Sequence, residues 1–282
     1  MMDEEELIEA YMRDAGAGVP AVGGADWLDY LLPSLDYQSQ LVAIQTLLRR
    51  QQDADRTTNQ EIQAIASDVP QSQGAIQQQA IDDWVDHVHA SVYQDAAHSM
   101  AAVGMLAPLI ESVFYQAMTQ LGELYHDKQL PLPTHQRFHD PDHGWNCHYA
   151  WIGGKLRKDL VRGIREMSDA LGIGKHLPPS LSMRLEALFA YRNKIFHLGF
   201  EWPMKERRAF EKRTKAEWPI EWFVWSRTGD DPWIAYLSAQ FIDETLEAVS
   251  DVLTGLGRFV GDLLKRDYAP PQRGTTSPAS LL

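Results

Sequence analysis

Apolar residues along this chain recur mainly at the three- and four-residue spacing of helices, and the regular stretches lengthen toward the C-terminus. Short helices are expected over residues 3–13 and 25–32, separated by the glycine-rich 15–24. Leu41, Ile44, Leu47 and Leu48 predict a clearer amphipathic helix over 36–53. Residues 57–80 are rich in glutamine and poor in apolar side chains. Ile62, Ile65, Ile76 and Ile81 still suggest helix, interrupted at 70–74, so an exposed hairpin or arm is expected there rather than core.

From about Ile81 the character changes. Trp84, Val85, Val88 and Val92 lead into a long helix over 100–124, carried by Val103, Leu106, Ile110, Val113, Phe114, Ala117 and Leu121. Pro108 inside it predicts a kink or a restart. Further helices are expected over 152–171, 181–198 and 233–268, the third closed by Gly199. Long helices with one apolar stripe each predict an all-α bundle. The division expected is an acidic helical extension over 1–93, a bundle over 94–268 and a disordered tail over 269–282.

Two connectors carry unusual composition. Residues 131–149 hold His135, His139, Asp140, Asp142, His143, Cys147 and His148. Imidazole and thiolate at close spacing would suit zinc, but no standard zinc spacing is present, and a polar loop near a site is the reading preferred. Residues 201–227 interleave Lys205, Arg207, Arg208, Lys212, Arg213 and Lys215 with Trp202, Trp218, Trp222 and Trp225. Cations for phosphate and rings for base stacking are what single-stranded RNA needs. The other reading is a small hairpin capping the bundle with its tryptophans inward. Apolar 220–225 followed by the turn-like 228–232 predicts such a β-hairpin before the last helix.

Charge sharpens the division. The net charge is −13, and residues 1–95 hold seventeen acidic against four basic side chains, so the remainder is neutral. An acidic extension could mask a basic cleft, or could simply solubilise helix faces. The single Cys147 excludes an intrachain disulfide framework. The acidic opening does not resemble a secretory leader, and no apolar run of membrane-spanning length is expected, so a cytoplasmic protein without membrane contact is anticipated.

The most informative residues lie near the end of the 181–198 helix. At ~100° per residue, Leu181, Leu185, Leu188, Ile195 and Phe196 share one side, with Arg192 in their midst. A guanidinium there is costly unless it is paired or used. Glu186, Asn193 and His197 form a polar strip on the flank. Arg192-Asn193, a three-residue spacer and His197 resemble the signature of the HEPN superfamily, whose members are helical bundles and in many cases metal-independent ribonucleases. The alternative is a structural arginine buried against a carboxylate, with His197 an ordinary polar residue.

That resemblance implies an endoribonuclease with Arg192, Asn193 and His197 as catalytic residues, and with Glu186 and Lys194 in support. It requires no cofactor and no metal. Cleavage through the 2′-hydroxyl needs proton transfer, which suits His197, and a cation for the phosphorane, which suits Arg192. Arg192 and His197 lie ~140° apart on an ideal helix, too splayed to grip one phosphate comfortably. HEPN ribonucleases meet this by pairing two signatures across a homodimer. The partners expected are therefore RNA, a second copy of the chain and a restraining antitoxin or regulatory protein. The role implied is that of a toxin or host-defence effector. A non-catalytic HEPN-like module binding nucleotide or protein is the competing reading, and a metal hydrolase built on 135–148 is a third.

Overall fold

The computed structural model describes residues 24–68 and 74–267. The helix expected over 3–13, most of the glycine-rich stretch after it and the tail from 269 lie outside the described residues. The fold is mostly helical, with two small antiparallel hairpins.

Helix α1 (Gly24–Leu31) buries Trp27, Leu28 and Leu31 against the C-terminal helix α7 (Ala239–Asp267). Asp36 then starts α2 (Tyr37–Asp68), its carboxylate accepting the Ser39 N–H at 2.8 Å. Leu41 and Leu48 of α2 are buried, so this helix contributes to the main core and not only to an arm. The Ser39 hydrogen bond also holds the Asp36 carboxyl below its ordinary pKa.

Helix α3 (Ala75–Asp127) has 53 residues, about 80 Å at 1.5 Å per residue. It runs without a break across the boundary expected at 93/94. Tyr37 meets Ser112 at 2.8 Å, and Asp55 meets His98 at 2.8 Å, so α2 and α3 run antiparallel. Pro108 was expected to interrupt the helix and does not. It lies on the exposed side, where water can serve the carbonyl that its missing N–H leaves free. By length and composition the segment 76–127 would pass for a membrane span, which corrects the expectation of none. More than half of its most apolar window is buried in the core.

The helix expected over 152–171 begins later. Tyr149–Ile152 (β1) and Lys155–Lys158 (β2) pair as a hairpin through Gly153 and Gly154, both at positive φ, as a two-residue turn requires. Asp159 then caps α4 (Leu160–Leu171) by accepting the Arg162 N–H. Helix α5 (Leu181–Leu198) matches the expected bounds and is followed by α6 (Met204–Glu217). Strands β3 (Phe223–Thr228) and β4 (Asp231–Leu237) form the anticipated second hairpin. The final helix therefore starts at Ala239, not near Trp233, with the Ser238 hydroxyl accepting the Phe241 N–H.

The tryptophans of 201–227 face inward. Trp202, Trp218 and Trp222 are buried, and the first two pack with Tyr191, Phe210 and Phe223 in one aromatic cluster. The stacking role considered for those three rings is therefore withdrawn in favour of a packed cap. The reason is area: a ring that buries ~150–250 Å² is worth more in a core than in water.

Candidate functional site

Leu181, Leu185, Leu188 and Ile195 of α5 are buried as the wheel requires, and Tyr191 is fully enclosed, its hydroxyl donating to the Ala235 carbonyl at 3.0 Å. The buried stripe gives out before the helix ends. Phe196 is 49% exposed and Leu198 38%. Gly199 closes the helix with φ 71°, and its carbonyl accepts the Trp202 indole N–H at 2.8 Å.

Arg192 is half-buried and not sunk in the core, which corrects the picture of a guanidinium central to the stripe. Its Nη1 donates to Asn193 Oδ1 at 3.3 Å, and its guanidinium lies 5.9 Å from the Phe196 ring. The Phe196 ring rests on Gly104 of α3, where an added Cβ would lie only 3.2 Å from it. The side chain thus escapes along a ring that is itself shelved on a glycine. Asn193 and His197 are exposed. Among the described residues no carboxylate pairs with Arg192 or His197.

Glu186 is exposed and does not reach Arg192. Lys194 is committed to Glu206 at 2.6 Å, tying α5 to α6 and holding the Glu206 carboxyl below its ordinary pKa. On and beside α6, Arg208 pairs with Asp231 at 2.7 Å and Arg213 with Glu217 at 2.7 Å, while Arg207 reaches Glu201 at 3.6 Å and donates to the Trp202 carbonyl. Lys205 and Lys212 are exposed, with no carboxylate partner among the described residues.

The buried arginines are others. Arg184 at the start of α5 donates to Glu244 at 2.9 Å and lies 5.0 Å over the Trp222 ring. Arg137 is fully buried. It bonds Glu166 at 2.7 Å and the carbonyls of Gly144, Asn146 and Tyr149 at 2.9, 3.0 and 3.0 Å. Glu166 also accepts the Trp151 N–H at 2.7 Å, so one ion pair knots the 131–148 loop to the β1–β2 hairpin and α4. In the same loop His148 bridges Glu111 and Asn146, both at 2.8 Å, and His143 stacks on Tyr149. Burial pushes the Cys147 thiol up to about 12, so it is no thiolate ligand at neutral pH. Among the described residues no three His, Cys, Asp or Glu side chains converge as a metal-ligand set.

Sequence reasoning passed over Arg137, Arg184 and a polar cluster of Asp55, Asp95, His98 and Tyr236. Arg184 carried a signal, standing between Ser180 and Leu185 on an otherwise apolar helix; the others depend on partners distant in sequence. Comparison with protein-family models, curated proteins and solved structures finds no match to this chain.

Proposed function

We propose that this protein is a metal-independent endoribonuclease of HEPN type, with α3, α4, α5 and α7 as its HEPN-like bundle. The observation that carries this reading is a contrast in pairing. Arg192 and His197 stand solvent-accessible and without a carboxylate, while Arg184, Lys194, Arg207, Arg208 and Arg213 nearby are each tied to one. A guanidinium kept from neutralisation is available to phosphate, which it can hold through two oxygens.

In this mechanism a 2′-hydroxyl attacks the adjacent phosphorus and the 5′-oxygen leaves, giving a 2′,3′-cyclic phosphate. His197 transfers a proton, Arg192 balances the charge on the phosphorane, and Asn193 orients the guanidinium it already contacts. The second proton transfer is assigned to His197 of a second copy. Exposed Phe196 and Leu198 flank the polar pair and offer apolar area for that homodimer. Service in the cytoplasm as a toxin or defence effector, restrained by an antitoxin, rests on the resemblance alone.

The test is cleavage of RNA by the purified full chain with EDTA present. Cyclic phosphate ends are expected, DNA should be untouched, and His197→Ala should lose about a hundredfold or more while staying folded. RNA binding without cleavage would instead select the non-catalytic module. Chelator-sensitive cleavage leaving 5′-phosphates would select a metal hydrolase.

A further inference from the structure

On the far side of the α2–α3 pair lies a cavity of about 250 Å³ that the ribonuclease reading does not use. Four elements build it: Gln52, Asp55 and Arg56 from α2, Asp95, His98 and Ser99 from α3, Val224, Tyr236 and Leu237 from the second hairpin, and Ile242 from α7. His98 is only 5% exposed. Its Nδ1 is held by Asp55 at 2.8 Å, and its Nε2 is buried with no protein partner. Tyr236 hydrogen-bonds the Asp95 carboxylate, and Ser99 is occupied, accepting the Leu237 N–H at 2.8 Å.

A buried ring nitrogen left unmatched costs about 1–3 kcal/mol, so it either serves an occupant or is a cost with no return. The chemistry of that occupant follows from the walls. Two carboxylates face the space, and the cation at its rim, Arg56, already pairs with Asp53 at 3.1 Å. An anion is repelled. A divalent metal lacks its ligands, since no three suitable side chains converge among the described residues. With Nδ1–H given to Asp55, the His98 Nε2 is an acceptor. The Asp95 carboxylate and the Tyr236 oxygen are acceptors too. Three acceptors match the three N–H donors of a primary ammonium group. Leu237 and Ile242 supply an apolar wall for a short methylene chain.

We infer that this cavity binds a small primary amine, its ammonium group held by Asp95, Tyr236 and His98 and its aliphatic chain against Leu237 and Ile242. Burial and the Asp55 carboxylate raise Asp95 to about 6, and a bound cation would reverse that shift. The site is independent of the catalytic assignment and stands or falls separately.

Calorimetric titration of the full chain with 1,4-diaminobutane, against 1,4-butanediol as the uncharged control, tests the inference. Saturable one-to-one binding of the diamine alone is expected, weakened tenfold or more in Asp95→Asn. An acidic chain also attracts amines non-specifically, so Asp82→Asn/Asp83→Asn/Asp86→Asn on the exposed part of α3 serves as a second variant and should leave the affinity unchanged. If Asp95→Asn does not fold, the wild-type protein still decides by NMR. The His98 ring resonances must shift with the diamine and saturate with it. No saturable heat, unmoved His98 resonances, or binding lost in the triple variant and kept in Asp95→Asn would each overturn the proposal.

Discussion

Arg184 and Arg192 sit two turns apart on one helix and live in different chemical worlds. Arg184 is enclosed, with Glu244 at 2.9 Å and an indole face beneath its guanidinium. Arg192 is half-exposed, with one long bond to an amide and no carboxylate. Arg137 extends the first pattern to its limit, since one side chain meets four oxygens in full burial. Arginines of the first kind fix the fold, and the second kind is left with its charge to spend. The contrast places structure and chemistry at opposite ends of α5.

The comparison can be broken most forcefully at Arg137. Arg137→Met removes the only cation facing buried Glu166 and strands three carbonyls, and should cost roughly 3–5 kcal/mol in chemical denaturation. Normal stability in that variant would mean the knot is ornamental. Arg192→Ala should do the reverse, with unfolding free energy changed by less than about 0.5 kcal/mol and RNA cleavage down a hundredfold, about 2.7 kcal/mol of barrier. An Arg192→Ala enzyme as active as wild type would erase the distinction. Arg184→Met lies between, losing about 2 kcal/mol of stability through its ion pair and ring contact, with turnover little changed in the surviving folded protein.

The smallest effect concerns a carboxyl in place of a cation. Asp95 is raised from 3.8 to about 6 by burial first and by Asp55 second, with Tyr236 and His98 opposing. Its protonated form is the one the fold prefers, so its favourable contribution is complete below pH 3.8 and fades as pH climbs through about 6. Asp95→Asn should therefore gain about 1 kcal/mol at pH 8 and almost nothing at pH 4, read from denaturation at both pH values.

What the chain revealed in advance was local. Helix α5 was readable to the residue because its leucines keep period and Gly199 ends it. The last helix was misplaced because Trp233, Leu237 and Phe241 satisfy a four-residue spacing as well as Ile234 and Tyr236 satisfy a strand's alternation; Pro232 and Ser238 were the better guides. The β1–β2 hairpin was absorbed into a helix although Gly153-Gly154 marked its turn. Polar pairings were the least legible. Arg184 finds Glu244 sixty residues away, and His98 finds Asp55 across forty-three, and no spacing rule reaches so far. Arg192 was singled out by a wheel that treats the apolar face as uniform. In three dimensions that face gives out before the helix does, and a side chain can slide out along Phe196.

The unbroken course of α3 has a rotational consequence. Each residue of a helix turns its successors by ~100°, so everything before a given point is geared to everything after it. Deleting one residue between Asp95 and Ala102 would swing Trp84, Asp95 and the whole leading half out of phase with Val103, Leu106 and Ile110. His98 or Asp95 would then face solvent, or the core residues would. A loop at that point would absorb such a slip; a continuous screw transmits it. The acidic third and the aromatic-capped remainder of the molecule are therefore held in a single angular register.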